Sequence, residues 1–149
     1  MIAKAFGPSS IDISTEKLSW LEALERSVNL LVESGRTKPE YFEQVFASTQ
    51  KLGPYFVVAP GIAIAHAAPS SAVLETGFAL LKLEKPVASG SINDPVSLLF
   101  SFASVDSESH IELLGEFANM MSTPGKVNLL LNASAIGEIR DILSENLVG

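Results

Sequence analysis

The chain has no cysteine among its 149 residues. That excludes disulfide frameworks, thiolate metal sites and cysteine nucleophiles. It has one tryptophan, two tyrosines and two histidines, so imidazole chemistry has only two places to reside. Basic residues are scarce as well: ten Lys and Arg stand against seventeen Asp and Glu, for a formal net charge of −7. Nucleic-acid binders carry a basic stripe and anionic membrane surfaces select Lys and Arg clusters, so neither class fits. Long apolar runs are missing too. The longest span about five residues, against about 20 for a membrane helix. The N-terminal MIAKAFGPSSIDIS has no apolar core of signal-peptide length. A cytoplasmic location is the expectation.

What remains is an ordinary compact composition, 47% hydrophobic and 18% charged. Residues 1–149 read as one domain, large enough to bury roughly two-thirds of the unfolded surface, with residues 1–12 as a partly ordered arm. Apolar periodicity predicts a helix over 15–35, with Trp20, Leu21, Leu24, Val28 and Leu31 on one face. Thr37 and Glu40 make a capping-box pattern for a second helix to about Lys51, facing inward with Phe42, Val45 and Phe46. Short apolar runs at 55–58, 76–83, 96–103 and 127–131, bounded by Gly, Pro, Asn and Asp, read as strands. Two more helices are predicted, at 107–121 with Ile111, Leu114, Phe117, Ala118 and Met121 inward, and at roughly 134–147 with Ile136, Ile139, Ile142 and Leu143. Strands alternating with helices give an α/β fold class with a mixed sheet.

Several stock motifs are missing. There is no G-x-S-x-G elbow, and Gly125-Lys126 lacks the rest of a P-loop. No histidine pair has helical metal spacing. The candidates are therefore His66 and His110. His66 follows a predicted strand in PGIAIAHAAP, where Gly61, Ala63, Ala65, Ala67 and Ala68 leave space around an imidazole. Neutral imidazole is a nucleophile at cytoplasmic pH and can hold a phosphoryl group as a labile phosphoramidate. A histidine in an apolar segment is otherwise a buried residue hydrogen-bonded to a carbonyl. His110 lies in SVDSESHIELLGEF, in the first turn of a helix capped by Asp106 or Ser107. Helix N-termini favour anions. If both histidines stand at the carboxyl ends of strands, they meet at the crevice where ligands bind in open α/β sheets. Asp106 and Glu108 read as ordinary first-turn acids, and Glu75 carries no special role.

PYFVVAPGIAIAHAAP resembles the active-site signature of enzyme IIA domains in the mannitol/fructose superfamily of the bacterial sugar phosphotransferase system. NDPVSLLFSFASVDSESHIELLGEFANMM is similar to that family's second block, which carries a second histidine. The likeness covers nearly the whole chain, with the two histidines 44 residues apart. Having Ala65 rather than Pro before His66, together with NDPV and DSESH, it resembles the ascorbate-type branch. The resemblance implies a single-domain mannitol-type fold, a mixed sheet flanked by helices. It makes His66 the phosphoryl acceptor and donor, with His110 stabilising or orienting the group. HPr would be the donor and enzyme IIB the acceptor, serving a membrane IIC permease, with no metal or organic cofactor. The chain departs from the pattern at Ala68, where Arg is expected, at Ser70, where an acid is common, and at Gln50, where mannitol-type relatives carry Arg. Two other readings share the residues: a regulatory phosphohistidine domain, and a non-catalytic α/β interaction domain.

Overall fold

The apolar runs in the middle of the chain become a five-stranded mixed sheet. In this computed structural model, which describes residues 2–53 and 56–144, the strands are β1 (Phe6–Ser14), β2 (Val57–Ala59), β3 (Ile62–His66), β4 (Gly77–Val87) and β5 (Val96–Ala103). Their order across the sheet is β1-β4-β5-β3-β2. The β1–β4 and β3–β5 pairs are parallel, whereas β4–β5 and β2–β3 are antiparallel. The helices are α1 (Trp20–Glu33), α2 (Tyr41–Leu52), α3 (Ser107–Ser122), α4 (Lys126–Asn132) and α5 (Ile136–Ser144). This is the expected α/β class, a mixed sheet flanked by helices.

Both faces of the sheet are covered, which is why β4 and β5 read as unbroken apolar runs rather than alternations. Successive side chains point to opposite faces. Ala79, Leu81, Leu83 and Leu99 enter one core with Leu24, Val28, Leu31, Tyr41 and Val45 of α1 and α2. Phe78, Leu80, Leu98, Phe100 and Phe102 enter a second core with Phe117, Met120, Leu130, Ile139 and Ile142 of α3–α5. At about 25 cal/mol per Å² of apolar surface, burial on this scale is the main term holding the layers together.

Residues 2–12 contain a short 3-10 turn (Ile2–Ala5) and most of β1, and four local readings elsewhere in the chain are corrected. The register jumps between Phe6 and Ile11, opposite Phe78 and Leu80, so Pro8 and Ser9 sit in an irregularity that an edge strand tolerates. Arg140 donates to Phe6 O and Gly7 O at 3.2 and 3.1 Å. The run 127–131, expected as a strand, is helix α4. A short apolar run does not distinguish strand from buried helix; here Lys126, Leu130 and Ala133 are buried while Leu129 and Leu131 point out. Lys126 Nζ donates to Ile142 O at 2.6 Å and Lys82 Nζ donates to Ala133 O, locking α4 between α5 and the sheet.

The first helix starts at Trp20, not Thr15, because Ser19 and Glu22 form a reciprocal capping box. The Thr37–Glu40 box does not form: Thr37 is buried in a bridge to Val73, and Glu40 makes no side-chain cap. Finally, α3 is turned relative to its predicted face. Ile111 is 72% exposed, and Phe117 and Met120 are its buried residues. The predicted strand at 55–58 and helix at 134–147 extend partly outside the described residues.

Candidate active site

β3 starts at a turn that needs a permissive residue. Gly61 has φ +76°, in the left-handed region. Its amide donates to Asn93 O at 2.9 Å, and its carbonyl accepts from Ser97 N and Leu98 N. These bonds align β3 with β5, so His66, the last residue of β3, pairs with Phe102.

Strand parity then decides where the imidazole points. His66 shares its parity with Ile62 and Ile64, which face the α3 layer. Ala63, Ala65 and Ala67 belong to the opposite core, under α1 and α2. The alanines expected to open space around the imidazole are therefore on the other face, where Ala63 and Ala65 are fully buried. Only Ala68, two residues beyond His66, is exposed.

The same face receives His110. α3 follows β5 after a short turn, with Asp106 as N-cap accepting from Ser109 N at 2.7 Å. His110, the fourth residue of α3, donates its amide to Asp106 O at 3.1 Å. The first-turn amides expected to favour an anion are thus partly engaged by Asp106 itself. The Ser109 amide and hydroxyl, with the Glu108 amide, hold the Asp106 carboxyl below the usual carboxylate range. The two imidazole centroids lie 5.5 Å apart at 63°. Phe102 borders both rings, at 5.0 Å from His110 and 6.3 Å from His66, and Phe56 lies 5.3 Å from His66.

Each ring has a fixed neighbour at Nδ1. His66 Nδ1 is 2.9 Å from Ile64 O. A carbonyl only accepts, so Nδ1 carries the proton and Nε2 the lone pair in the neutral ring. Burial pushes the His66 pKa below its ordinary value, and the neighbouring His110 adds to that; the bond to Ile64 O acts the other way. His110 Nδ1 is 3.1 Å from Ser104 Oγ.

Two residues that sequence reasoning missed complete the surroundings. Tyr41, fully buried in the first turn of α2, donates its hydroxyl to Phe102 O at 2.7 Å and accepts from Ala67 N at 2.9 Å. It ties the residue after His66 to the end of β5. Ser104, also fully buried, stands between β5 and α3. A buried tyrosine hydroxyl normally finds a partner, which was the one signal available for Tyr41; Ser104 offered none. Glu75 pairs with Arg36 at 3.0 Å. Glu108 is exposed. Ser70 donates to Gln44 at 2.7 Å, and Gln50 lines a groove with Ser19, Trp20 and Ser89. Among the described residues no group of three or more His, Cys, Asp and Glu could hold a metal ion.

Residues 4–146 match the family model for the phosphoenolpyruvate-dependent sugar phosphotransferase system, EIIA 2. The chain belongs to this family. It is 33% identical over 137 residues to the ascorbate-specific phosphotransferase system EIIA component of Salmonella choleraesuis, covering 91% of this chain and 89% of that protein. That agrees with the branch expected from the sequence. Among solved structures, this enzyme IIA chain superposes on the mannitol-specific cryptic phosphotransferase enzyme IIA CmtB from Escherichia coli with a TM-score of 0.86 and 30% identity, over 97% of this chain and 99% of that one. It shares its fold with the IIAMTL component of the complex of enzyme IIAMTL and phosphorylated enzyme IIBMTL from Escherichia coli, at 22% identity and a TM-score of 0.79, over 93% and 96% of the two chains. No helix among the described residues is long and apolar enough to cross a membrane.

Proposed function

We propose that this enzyme IIA is a cytoplasmic phosphocarrier that takes a phosphoryl group from HPr onto His66 and passes it to an enzyme IIB, serving ascorbate uptake through a IIC permease. The observation that carries the reading is the His66–His110 pair, with His66 Nδ1 held on Ile64 O. Membership of the family and the names of the relatives support the pathway, and the complex formed by IIAMTL supports IIB as the acceptor.

The chemistry follows from the tautomer. The Nε2 lone pair of His66 forms an N–P bond as the N–P bond of the donor's phosphohistidine breaks, and that electron pair returns to the donor's ring nitrogen. Nδ1 keeps its proton on Ile64 O, so the ring takes a positive charge beside the phosphoryl dianion. Transfer onward to a cysteine or histidine of IIB is the same displacement with His66 as the leaving group. Such steps need positioning and charge stabilisation more than strong acid–base groups. His110, 5.5 Å away ring to ring, supplies the nearby hydrogen-bonding group.

The test is incubation of the full chain with phosphoenolpyruvate and the general phosphotransfer proteins. An acid-labile label on wild type that is lost in His66→Ala is the expected result. No label on wild type, or one that survives in His66→Ala, overturns the reading.

A further inference from the structure

We propose that Ser104 is a positioning residue of the histidine pair: its hydroxyl donates to His110 Nδ1 and so keeps the His110 proton on Nε2. The effect on transfer rests on the phosphocarrier reading above, whereas the tautomer belongs to the resting protein.

Ser104 is the residue immediately after β5, and its side chain is fully buried. Its Oγ lies 3.1 Å from His110 Nδ1. Among the described residues this hydroxyl has no other hydrogen-bond partner. Two arrangements are available. In one, the hydroxyl donates and Nδ1 accepts. In the other, Nδ1–H donates to Oγ, and the hydroxyl hydrogen points into the protein with no acceptor. A buried donor left unsatisfied is costly, so the first arrangement prevails. Neutral imidazole protonates one nitrogen only, and the His110 proton therefore sits on Nε2.

This makes the two rings complementary. Ile64 O fixes His66 as the Nδ1–H tautomer, with its lone pair on Nε2. Ser104 fixes His110 as the opposite tautomer, with a donor on Nε2. A phosphoryl group presents acceptor oxygens, and a donor aimed at them strengthens as their charge grows. The reverse His110 tautomer would set a lone pair against the anion. Ser104 touches neither phosphorus nor His66 in this scheme; it acts through His110. The nearby acids do not take this role: Asp106 caps α3 and Glu108 is exposed.

The experiment is ¹⁵N NMR of both imidazoles in the full chain at a pH where they are neutral, combined with the rate of transfer from phosphorylated HPr. Wild type should show a lone-pair Nδ1 and a protonated Nε2 at His110, and the reverse at His66. Ser104→Ala should mix the His110 tautomers and slow transfer about tenfold, as for one lost hydrogen bond, with the His66 pattern unchanged. Ser104→Thr, which keeps the hydroxyl, should restore both the pattern and the rate. A wild-type His110 protonated on Nδ1 overturns the proposal even if Ser104→Ala fails to fold. So does a folded Ser104→Ala that keeps tautomer and rate. If wild-type His66 takes no label, the phosphocarrier reading fails, and the NMR result still decides the tautomer.

Discussion

The imidazoles of His66 and His110 stand 5.5 Å apart, centroid to centroid, on the same face of the sheet. Neither position depends on the other. His66 is set by the β3–β5 register and by the parity it shares with Ile62 and Ile64. His110 is set by the Asp106 cap that starts α3 after β5. Two separate elements therefore deliver one ring each to the carboxyl ends of neighbouring parallel strands, where open α/β sheets hold their ligands.

If His110 acts on the phosphoryl group rather than carrying it, its removal slows transfer without abolishing the label. His110→Ala should retain an acid-labile label on His66 and lower the transfer rate by about a hundredfold, the usual loss for one donor to a developing anion. Rapid-quench kinetics with phosphorylated HPr measure this. An unchanged rate would make His110 a helix-start residue and nothing more.

The depressed pKa of His66 links the site to stability. Burial is the larger cause and the neighbouring His110 the smaller, opposed by the bond to Ile64 O. The unfolded chain takes up this proton near the ordinary histidine value of about 6.5, and the folded chain does so only at lower pH. Between those values the unfolded state binds more protons, so stability rises with pH. This contribution is complete above about pH 6.5 and is lost as pH falls through the window beneath it. Urea midpoints taken across that window should fall more steeply for wild type than for His66→Gln. Equal slopes would show that the fold does not disfavour the charged ring.

Tyr41 connects α2, the residue after His66 and the end of β5 through one hydroxyl. In Tyr41→Phe, Phe102 O loses a donor and Ala67 N an acceptor, both in a buried setting. The expected loss is about 2 kcal/mol, seen as a lower urea midpoint at constant slope. Because Ala67 follows His66 directly, the ¹⁵N signals of His66 should also move. A midpoint within error of wild type would remove Tyr41 from the framework of the site.

What was legible in the sequence depended on how local its cause was. β4 and β5 stood out because burial on both faces makes continuous apolar runs. His66 and His110 stood out because they are the two histidines of the chain. β1 was hidden because Gly7, Pro8, Ser9 and Ser10 interrupt it and its pairing jumps in register. α4 was hidden because five mostly apolar residues fit either structure until Lys82 and Lys126 are seen anchoring its surroundings. Tyr41 was hidden because its partners lie 26 and 61 residues away. Small residues around His66 suggested an open approach, yet parity sends Ala63 and Ala65 to the opposite core.

The rotation of α3 provides the sharpest separation of pattern from packing. Periodicity placed Ile111 and Phe117 on one inward face. In the structure Phe117 is 5% exposed and stacks on Phe78 at 5.6 Å, with Phe100 edge-on at 4.9 Å, whereas Ile111 is 72% exposed. Phe117→Ala should cost about 4 kcal/mol, the sum of lost transfer energy and the cavity left between the two rings. Ile111→Ala should change stability by no more than about 0.5 kcal/mol, as for a surface residue. Urea unfolding of the two variants in one buffer distinguishes them. Comparable losses for both would mean that α3 presents Ile111 to the core, and His110, one residue earlier on the helix, would then lie elsewhere relative to His66.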